Sequence, residues 1–387
     1  MKRRVLIFVF YNPKGIVYKY VENVLEEIKK HVTHILIVVN GKLLSSGEKK
    51  LKKYANDILV RDNDGYDGEA FKCGFSYLRK NHNIEEYEEL LLANDTFFGF
   101  FHPLDDFFYA ADNKLDADLI GMTYFEHNKD NPNMFPSHAQ SYFLLIKERL
   151  LKSDFFIEFW NKFEKPQNYI EAVFNFEVQL SRKCIENGYK VDSVYRLRNL
   201  NIREEGNPFF YNTFELIKDL RLPIFKRKAF EWADDGCISA LRYISSNNMY
   251  DVEEIYNYYK EMYDSIPGFG TDSFFGLYSF ATKHNRVYAY GRYAEKFCNI
   301  MSFISSGDYT VVDEKSLSNI KFEKKDGFFI ADDPDGVEKC MPVIVKKVPF
   351  NILYHRNMGG RMLLKNRDYG NLICKALDQI MYKISLN

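Results

Sequence analysis

Short unbroken apolar runs alternate with stretches of helical spacing through the first third of the chain, and that alternation restricts the fold more than any other feature. Val5–Tyr11 is such a run, closed by the turn signal Asn12-Pro13-Lys14-Gly15. Val17, Val21, Val24, Leu25 and Ile28 then recur at helical spacing. His34–Val39 is a second run, stopped by Asn40-Gly41, and Asp57–Arg61 reads as a third after a short helix over 49–56. A helix is expected over 68–80, a fourth strand over Glu89–Ala93 and a fifth over Asp118–Tyr124. Buried strands alternating with helices imply a mostly parallel sheet with helices on both faces. Ligands of such sheets lie beyond the carboxyl ends of the strands. Here those ends are Tyr11-Asn12, Asn40-Gly41, Arg61–Gly68 and Asn94-Asp95, all polar.

A helix over 170–187 stops at Asn187-Gly188, a favoured C-terminal pair. Past residue 200 the alternation weakens, and 235–280 reads as helical and Tyr-rich. A smaller strand–turn–helix pattern follows, with strands over Arg286–Tyr290, Tyr309–Val312 and Phe328–Ile330. With 387 residues, two or three domains are expected. The boundaries read as 1–232 for the large α/β domain, 233–283 for a helical connector and 284–387 for a small Rossmann-like domain. A net charge of −1 gives no electrostatic case for nucleic acid. No two of the six cysteines fall within three residues of each other, so a CxxC site is excluded and reduced thiols in the cytoplasm are expected. The apolar run after Met1-Lys-Arg-Arg4 is too short for a signal peptide and lacks a cleavage site, and no stretch reaches the roughly 18 apolar residues of a membrane span.

Four constellations carry possible chemistry. Arg61–Phe75 joins a strand to a helix; Gly65 and Gly68 allow close backbone approach, while Asp67 and Lys72 supply an acceptor and a cation beside a helix N-terminus. An ordinary glycine-rich connection explains it equally well, and neither GxxxxGK[ST] nor GxGxxG is present. Asp95, in Leu90–Thr96, follows a buried strand, where a carboxylate can hold a divalent ion against a diphosphate. Taken alone, Asn94-Asp95 reads better as a turn capping the next helix. Glu177 lies beside the stripe Val173, Phe176, Leu180 and Cys184, with no basic residue three or four positions away, which makes it a candidate general base; a solvated surface Glu is the commoner case. Ser137–Ser141 could line an acceptor pocket with His138, Gln140 and Ser141, or His138 is a satisfied structural histidine.

Taken in order, these pieces resemble the rhamnan synthesis protein F family of polysaccharide glycosyltransferases. The resemblance rests on Asn63–Asp67 with Lys72 and Gly74, on Leu91–Gly99, on Gln140–Phe143 with the closing Phe159-Trp160, on Phe176-Glu177 with Leu180-Ser181 and Gly188-Tyr189, and on Pro223–Lys226. Gly68-Glu69 stands where the family has Phe-Gly. More loosely, the same segments resemble inverting GT-A glycosyltransferases, in which a helix carries the base three residues before a Leu, the place of Glu177 before Leu180. The segment from Val287 to Ala294 looks like the small nucleotide-binding domains of some glycan enzymes, but keeps only Gly291 of their glycines, with Arg292 and Tyr293 crowding the phosphate position.

The resemblance implies a GT-A-like fold, inverting single displacement and a nucleoside diphosphate L-rhamnose donor such as dTDP-L-rhamnose, used to build surface polysaccharide. In that reading Tyr11, Asn63, Tyr66, Asp67, Lys72 and Asn94 bind the donor, and Asp95 holds Mg or Mn. His138, Gln140 and Ser141 meet a glycan or lipid-linked acceptor, and Glu177 is the base, with Asp105, Asp106 and His138 next in line. The basic and aromatic segment Arg221–Phe230 suggests peripheral contact with the inner membrane face, with a solvated loop as the equal alternative. Two rivals remain: a non-catalytic sugar-nucleotide or glycan-binding subunit, favoured by the missing carboxylate at Asn94, and a nucleotidyltransferase on a related sheet.

Overall fold

The computed structural model describes residues 2–227 apart from 114, 128–134, 205 and 211; beyond them it describes 236–255, 258, 261, 284, 286–292, 294–304, 307–323, 326–331, 344 and 347–348. The chain divides into two compact units, one of Met1–Arg227 with Ile244–Tyr250, the other of Lys228–Tyr243 with Asp251–Asn387.

The first unit is built on the expected alternation. Strands β1 (Arg4–Tyr11), β2 (His34–Asn40), β3 (Asp57–Arg61) and β4 (Glu89–Asn94) are separated by helices α1 (Lys19–Ile28), α2 (Ser45–Leu51) and α3 (Tyr66–Asn81). They continue into β5 (Phe97–Gly99), β6 (Leu119–Gly121), β7 (Tyr124–Phe125), β8 (His138–Ala139), β9 (Phe143–Lys147), β10 (Val191–Ser193) and β11 (Ile224–Lys226). The main sheet has the order β10-β6-β9-β4-β1-β2-β3. All its pairings are parallel except those of β9, which runs antiparallel between β4 and β6. This is the mostly parallel sheet that the sequence predicts, with a reversed strand that it does not.

Both faces of β1 are buried, which is why Val5–Phe10 is a continuous apolar run rather than an alternating one. On one face Val5, Ile7, Val9, Leu36 and Val38 pack against Phe71, Phe75 and Leu78 of α3, and beyond them lie Trp160, Phe163 and Phe176. Gly74 permits that approach: a Cβ there would lie 2.7 Å from Ile7 Cγ2 and 3.0 Å from Val38 Cγ2. The register sets Tyr11 opposite Asn40, Asn40 opposite Arg61 and Val9 opposite Asn94, so four carboxyl ends open on one edge. Beyond that edge β11 pairs antiparallel with β5, Lys226 opposite Phe97.

In the second unit β12 (Arg286–Tyr290), β13 (Asp308–Val312) and β14 (Gly327–Ile330) form a parallel sheet in the order β13-β12-β14, with a helix over Ala294–Ile304 between the first two. That is the small Rossmann-like pattern expected for the end of the chain. Of the Tyr-rich stretch 235–280, only 236–255, 258 and 261 are among the described residues.

Candidate active site

Three carboxylates and two cations gather beyond the end of β4. Asn94, the last residue of that strand, accepts from the backbone N–H and the hydroxyl of Thr96 through Oδ1, at 3.2 and 2.6 Å. Its Nδ2 donates to Asp67 Oδ2 at 2.8 Å. Asp67 stands in the first turn of α3, where Gly65 at φ 75° and Tyr66 at φ 56° take left-handed backbone to bring the helix start over the strand end. For Tyr66 that conformation costs roughly 1 kcal/mol, a strain that positions the carboxylate behind it.

Asp95 is buried. Its Oδ2 accepts the Tyr20 hydroxyl at 3.2 Å, and its Oδ1 faces Arg227 Nη2 at 3.8 Å. Arg227 Nη1 also donates to the Tyr20 oxygen at 2.8 Å. Lys226 donates to Thr96 Oγ1 at 2.7 Å, with its ammonium 4.1 Å from the centre of the Tyr142 ring. Burial drives the Asp95 carboxyl up, against Arg227 and the hydrogen bonds of Tyr20 and the Tyr11 backbone. Burial and the neighbouring charge of Asp95 push Asp67 up to about 6, with Lys226 and Asn94 opposing and Glu177 adding to the rise.

Glu177 comes from a π-helical turn, Val173–Val178, inserted in the helical stretch 169–186. Such turns displace a side chain from regular helical placement and recur at functional sites. Its Oε2 accepts the Ser141 N–H at 3.3 Å and faces His138 Nε2 at 3.5 Å. His138 is stacked on Phe125 with centroids 4.9 Å apart, and its Nδ1 lies 2.7 Å from the Pro136 carbonyl. A carbonyl only accepts, so that nitrogen carries a proton. Burial pulls the Glu177 carboxyl upward, but His138, Lys226 and the Ser141 N–H together hold it below the usual carboxylate range.

The cluster therefore brings together Asp67, Asn94, Asp95, Glu177, His138 and the Ser141 backbone. Other expected residues lie elsewhere or act differently. Lys72 donates to the Phe163 carbonyl at 3.0 Å; five residues along α3 from Asp67, it is rotated roughly 140° around the helix. Gln140 is buried and accepts the Thr123 hydroxyl at 2.6 Å, so its amide carbonyl serves the interior. Tyr11, 39% exposed, ends β1 beside the cluster; Tyr66 and Asn63 are also exposed, Asn63 near Gly41 at the end of β2. Asp106 pairs with Arg221 at 3.2 Å.

Tyr20, Lys226 and Arg227 are the members that sequence reasoning missed. Residues 221–230 looked like a surface-binding segment, yet Leu222, Ile224 and Phe225 are fully buried by β11 and its surroundings. Residues 228–230 lie outside the described residues. The available signal was Ile224-Phe-Lys226 itself, a short strand-forming run after Pro223. Asp95 Oδ2 accepts from Tyr20 while its Oδ1 lies 3.8 Å from Arg227 Nη2, beyond hydrogen-bond reach, and the neighbouring Asn94 spends its amide on Asp67 and Thr96. Among the described residues no helix is long and apolar enough to cross a membrane.

The family pattern described as rhamnan synthesis protein F matches residues 35–273. A curated relative, "Uncharacterized protein y4gN" of Sinorhizobium fredii (strain NBRC 101917 / NGR234), is 24% identical over 191 residues, covering 49% of this chain and 48% of the relative. The chain thus spans about half the length of the curated relative it matches. Among solved structures it is similar to 4-diphosphocytidyl-2C-methyl-D-erythritol synthase from Anaerococcus prevotii, at 12% identity and a TM-score of 0.34, covering 50% of this chain and 86% of the other. A putative nucleotide-diphospho-sugar transferase from Desulfovibrio desulfuricans aligns at 10% identity and a TM-score of 0.32, covering 57% and 88%.

Proposed function

The chain belongs to the rhamnan synthesis protein F family, and from that premise we propose that it is an inverting glycosyltransferase moving a sugar from a nucleoside diphosphate donor to a glycan or lipid-linked acceptor. The observation that carries the reading is the cluster of Asp67, Asp95 and Glu177 with Lys226 and Arg227 beyond the carboxyl ends of the parallel strands. A donor laid across those ends would put its nucleoside hydroxyls near Asp67 and its diphosphate near the two cations. The nucleoside diphosphate of L-rhamnose is the donor that the family name suggests.

In the transfer, the acceptor oxygen bonds to the anomeric carbon as the bond from that carbon to the diphosphate oxygen breaks. The leaving diphosphate carries the electron pair away, and Lys226 and Arg227 offset its growing charge. Glu177 receives the acceptor proton. Its lowered pKa keeps it ionised at neutral pH, and His138 fixes its orientation. The product has the opposite anomeric configuration. In this reading no step runs through a divalent ion, because Lys226 and Arg227 supply the positive charge beside the leaving diphosphate.

The test is incubation of the purified chain with a panel of nucleoside diphosphate sugars, with nucleoside diphosphate release measured with and without glycan acceptors. Release from one donor, raised by acceptor, is expected. The absence of carboxylate chemistry at Asn94 favours a second reading, a sugar-nucleotide-binding subunit without turnover. Binding of a donor with no release in any condition would replace the first reading with that one.

A further inference from the structure

A second polar cluster lies at the opposite, amino-terminal ends of the strands. His34 begins β2, Asp57 begins β3 on the sheet edge, and His82 directly follows α3. Asp57 Oδ2 lies 2.9 Å from His34 Nε2 and 3.0 Å from His82 Nε2. Its other oxygen accepts the Tyr77 hydroxyl at 3.1 Å. The two imidazoles stand with their centroids 4.4 Å apart, edge to face. One nitrogen of each ring and one carboxylate oxygen all lie within 4.8 Å of one another.

We propose that His34, Asp57 and His82 bind a divalent transition ion of the zinc class, which ties the edge strand β3 and the end of α3 to β2. Two imidazoles and one carboxylate form a ligand set that zinc accepts, with water in the fourth position. With metal bonds of about 2.0–2.1 Å in tetrahedral geometry, neighbouring ligand atoms stand about 3.3 Å apart. The 2.9 and 3.0 Å separations need to open by only a few tenths of an ångström. Each imidazole must move its proton from Nε2 to Nδ1, a change of tautomer that leaves it neutral. Tyr77 already holds the second carboxylate oxygen, the supporting contact that orients metal-bound carboxylates. The side chains of His34, Asp57 and His82 are 13%, 24% and 26% exposed, open enough for an ion to enter and covered enough to hold it. Three side chains from three elements, meeting at one point, give such an ion a clamping role away from the transfer site.

The experiment titrates ZnCl2 by calorimetry into the protein freed of metal by chelator and dialysis, alongside His82→Ala, Asp57→Asn and the control His31→Ala. His82 follows the helix and is partly exposed, and Asn keeps the shape of Asp57, so both variants should fold; circular dichroism verifies this. One saturable equivalent in the parent is expected, weakened at least tenfold by His82→Ala and by Asp57→Asn and unchanged by His31→Ala. The melting temperature should rise with Zn2+ in the parent and not in His82→Ala. No saturable binding in the parent, or binding that survives both ligand substitutions, overturns the site and leaves the trio as a hydrogen-bonded cluster only. Loss of binding in His31→Ala would also overturn it, moving the ion to the group of Glu27, His31 and Asp105.

Discussion

In the proposed reading Asp67 has two opposed roles, and they can be separated by pH. Its folded pKa is raised from 3.8 to about 6 by burial and by Asp95. A carboxyl with a raised folded pKa favours the folded state while neutral; that contribution is lost as pH climbs from about 4 to about 6. Asp67→Asn abolishes the titration and keeps an oxygen for the Asn94 amide. It should therefore stabilise the free protein at pH 7.5, on the order of 1 kcal/mol, with no gain below pH 4, as read from urea midpoints at the two pH values. The same substitution should weaken nucleotide binding by about 1–3 kcal/mol in calorimetry at pH 7.5, since a ligand hydroxyl loses its charged acceptor. A variant that is less stable at pH 7.5 would show that the carboxylate is not strained by its neighbours. For Glu177, Gln preserves shape but cannot take a proton. Transfer should fall by about 10²–10⁴ at saturating donor while donor affinity stays near the parent value. Parent-like turnover would place the base elsewhere, and lost donor binding would make Glu177 structural.

The antiparallel pair β5–β11 shows what a short element can do for a site. Pairing Phe97–Gly99 with Ile224–Lys226 brings Lys226 to the hydroxyl of Thr96, 130 positions earlier, and sets the following Arg227 against the Asp95 carboxylate. Nothing local in the sequence announces such a partnership; three-residue strands have no readable period, and their pairing is decided by tertiary context. The same holds for β9: Tyr142–Ile146 reads as an apolar run, but its reversed direction depends on the strands it lies between. By contrast β1, β2 and β4 were legible because strands buried on both faces must be apolar throughout, whereas β3, on the sheet edge with Val60 exposed, was legible only as a short apolar run. Within the site, Asp67, Asp95 and Glu177 could be found from strand ends and helix spacing. The His138–Glu177 contact spans 39 positions and could not. If β11 supplies the positive charge, Lys226→Ala should lower transfer by about 10²–10³, as for loss of one donor to a developing oxyanion. Initial rates in excess EDTA, at a temperature where the protein stays folded, should remain close to those with Mg2+ or Mn2+. Activity that vanishes in EDTA and returns with Mn2+ would restore the divalent ion to the mechanism.

At the scale of the whole chain, two units offer two sheets, one mostly and one wholly parallel, and both could in principle receive a nucleotide beyond their strand ends. Their edges differ in chemistry. In the first unit three carboxylates and two cations converge on the ends of β1 and β4. In the second, β12 runs into Gly291 at φ 112° and then Arg292, and β13 into Asp313, which caps the following helix by accepting the Ser316 N–H at 2.7 Å. Its buried cluster of Tyr288, Val312, Leu317, Phe328 and Ile330 accounts for the strands as a core in its own right. A single nucleotide site, on the first unit, is therefore expected, and hydrogen exchange can locate it. At 100 times its dissociation constant a bound donor adds roughly 2.7 kcal/mol to the state it binds. Backbone amides around Asn12, Tyr66–Gly68, Asp95–Thr96 and Ile224–Arg227 should then exchange more slowly with a nucleoside diphosphate sugar present. Those of Arg286–Tyr290, Asp308–Val312 and Gly327–Ile330 should exchange at the same rate with and without it. Slowing confined to the second group would move the nucleotide to the small sheet and leave the carboxylate cluster without its assigned role.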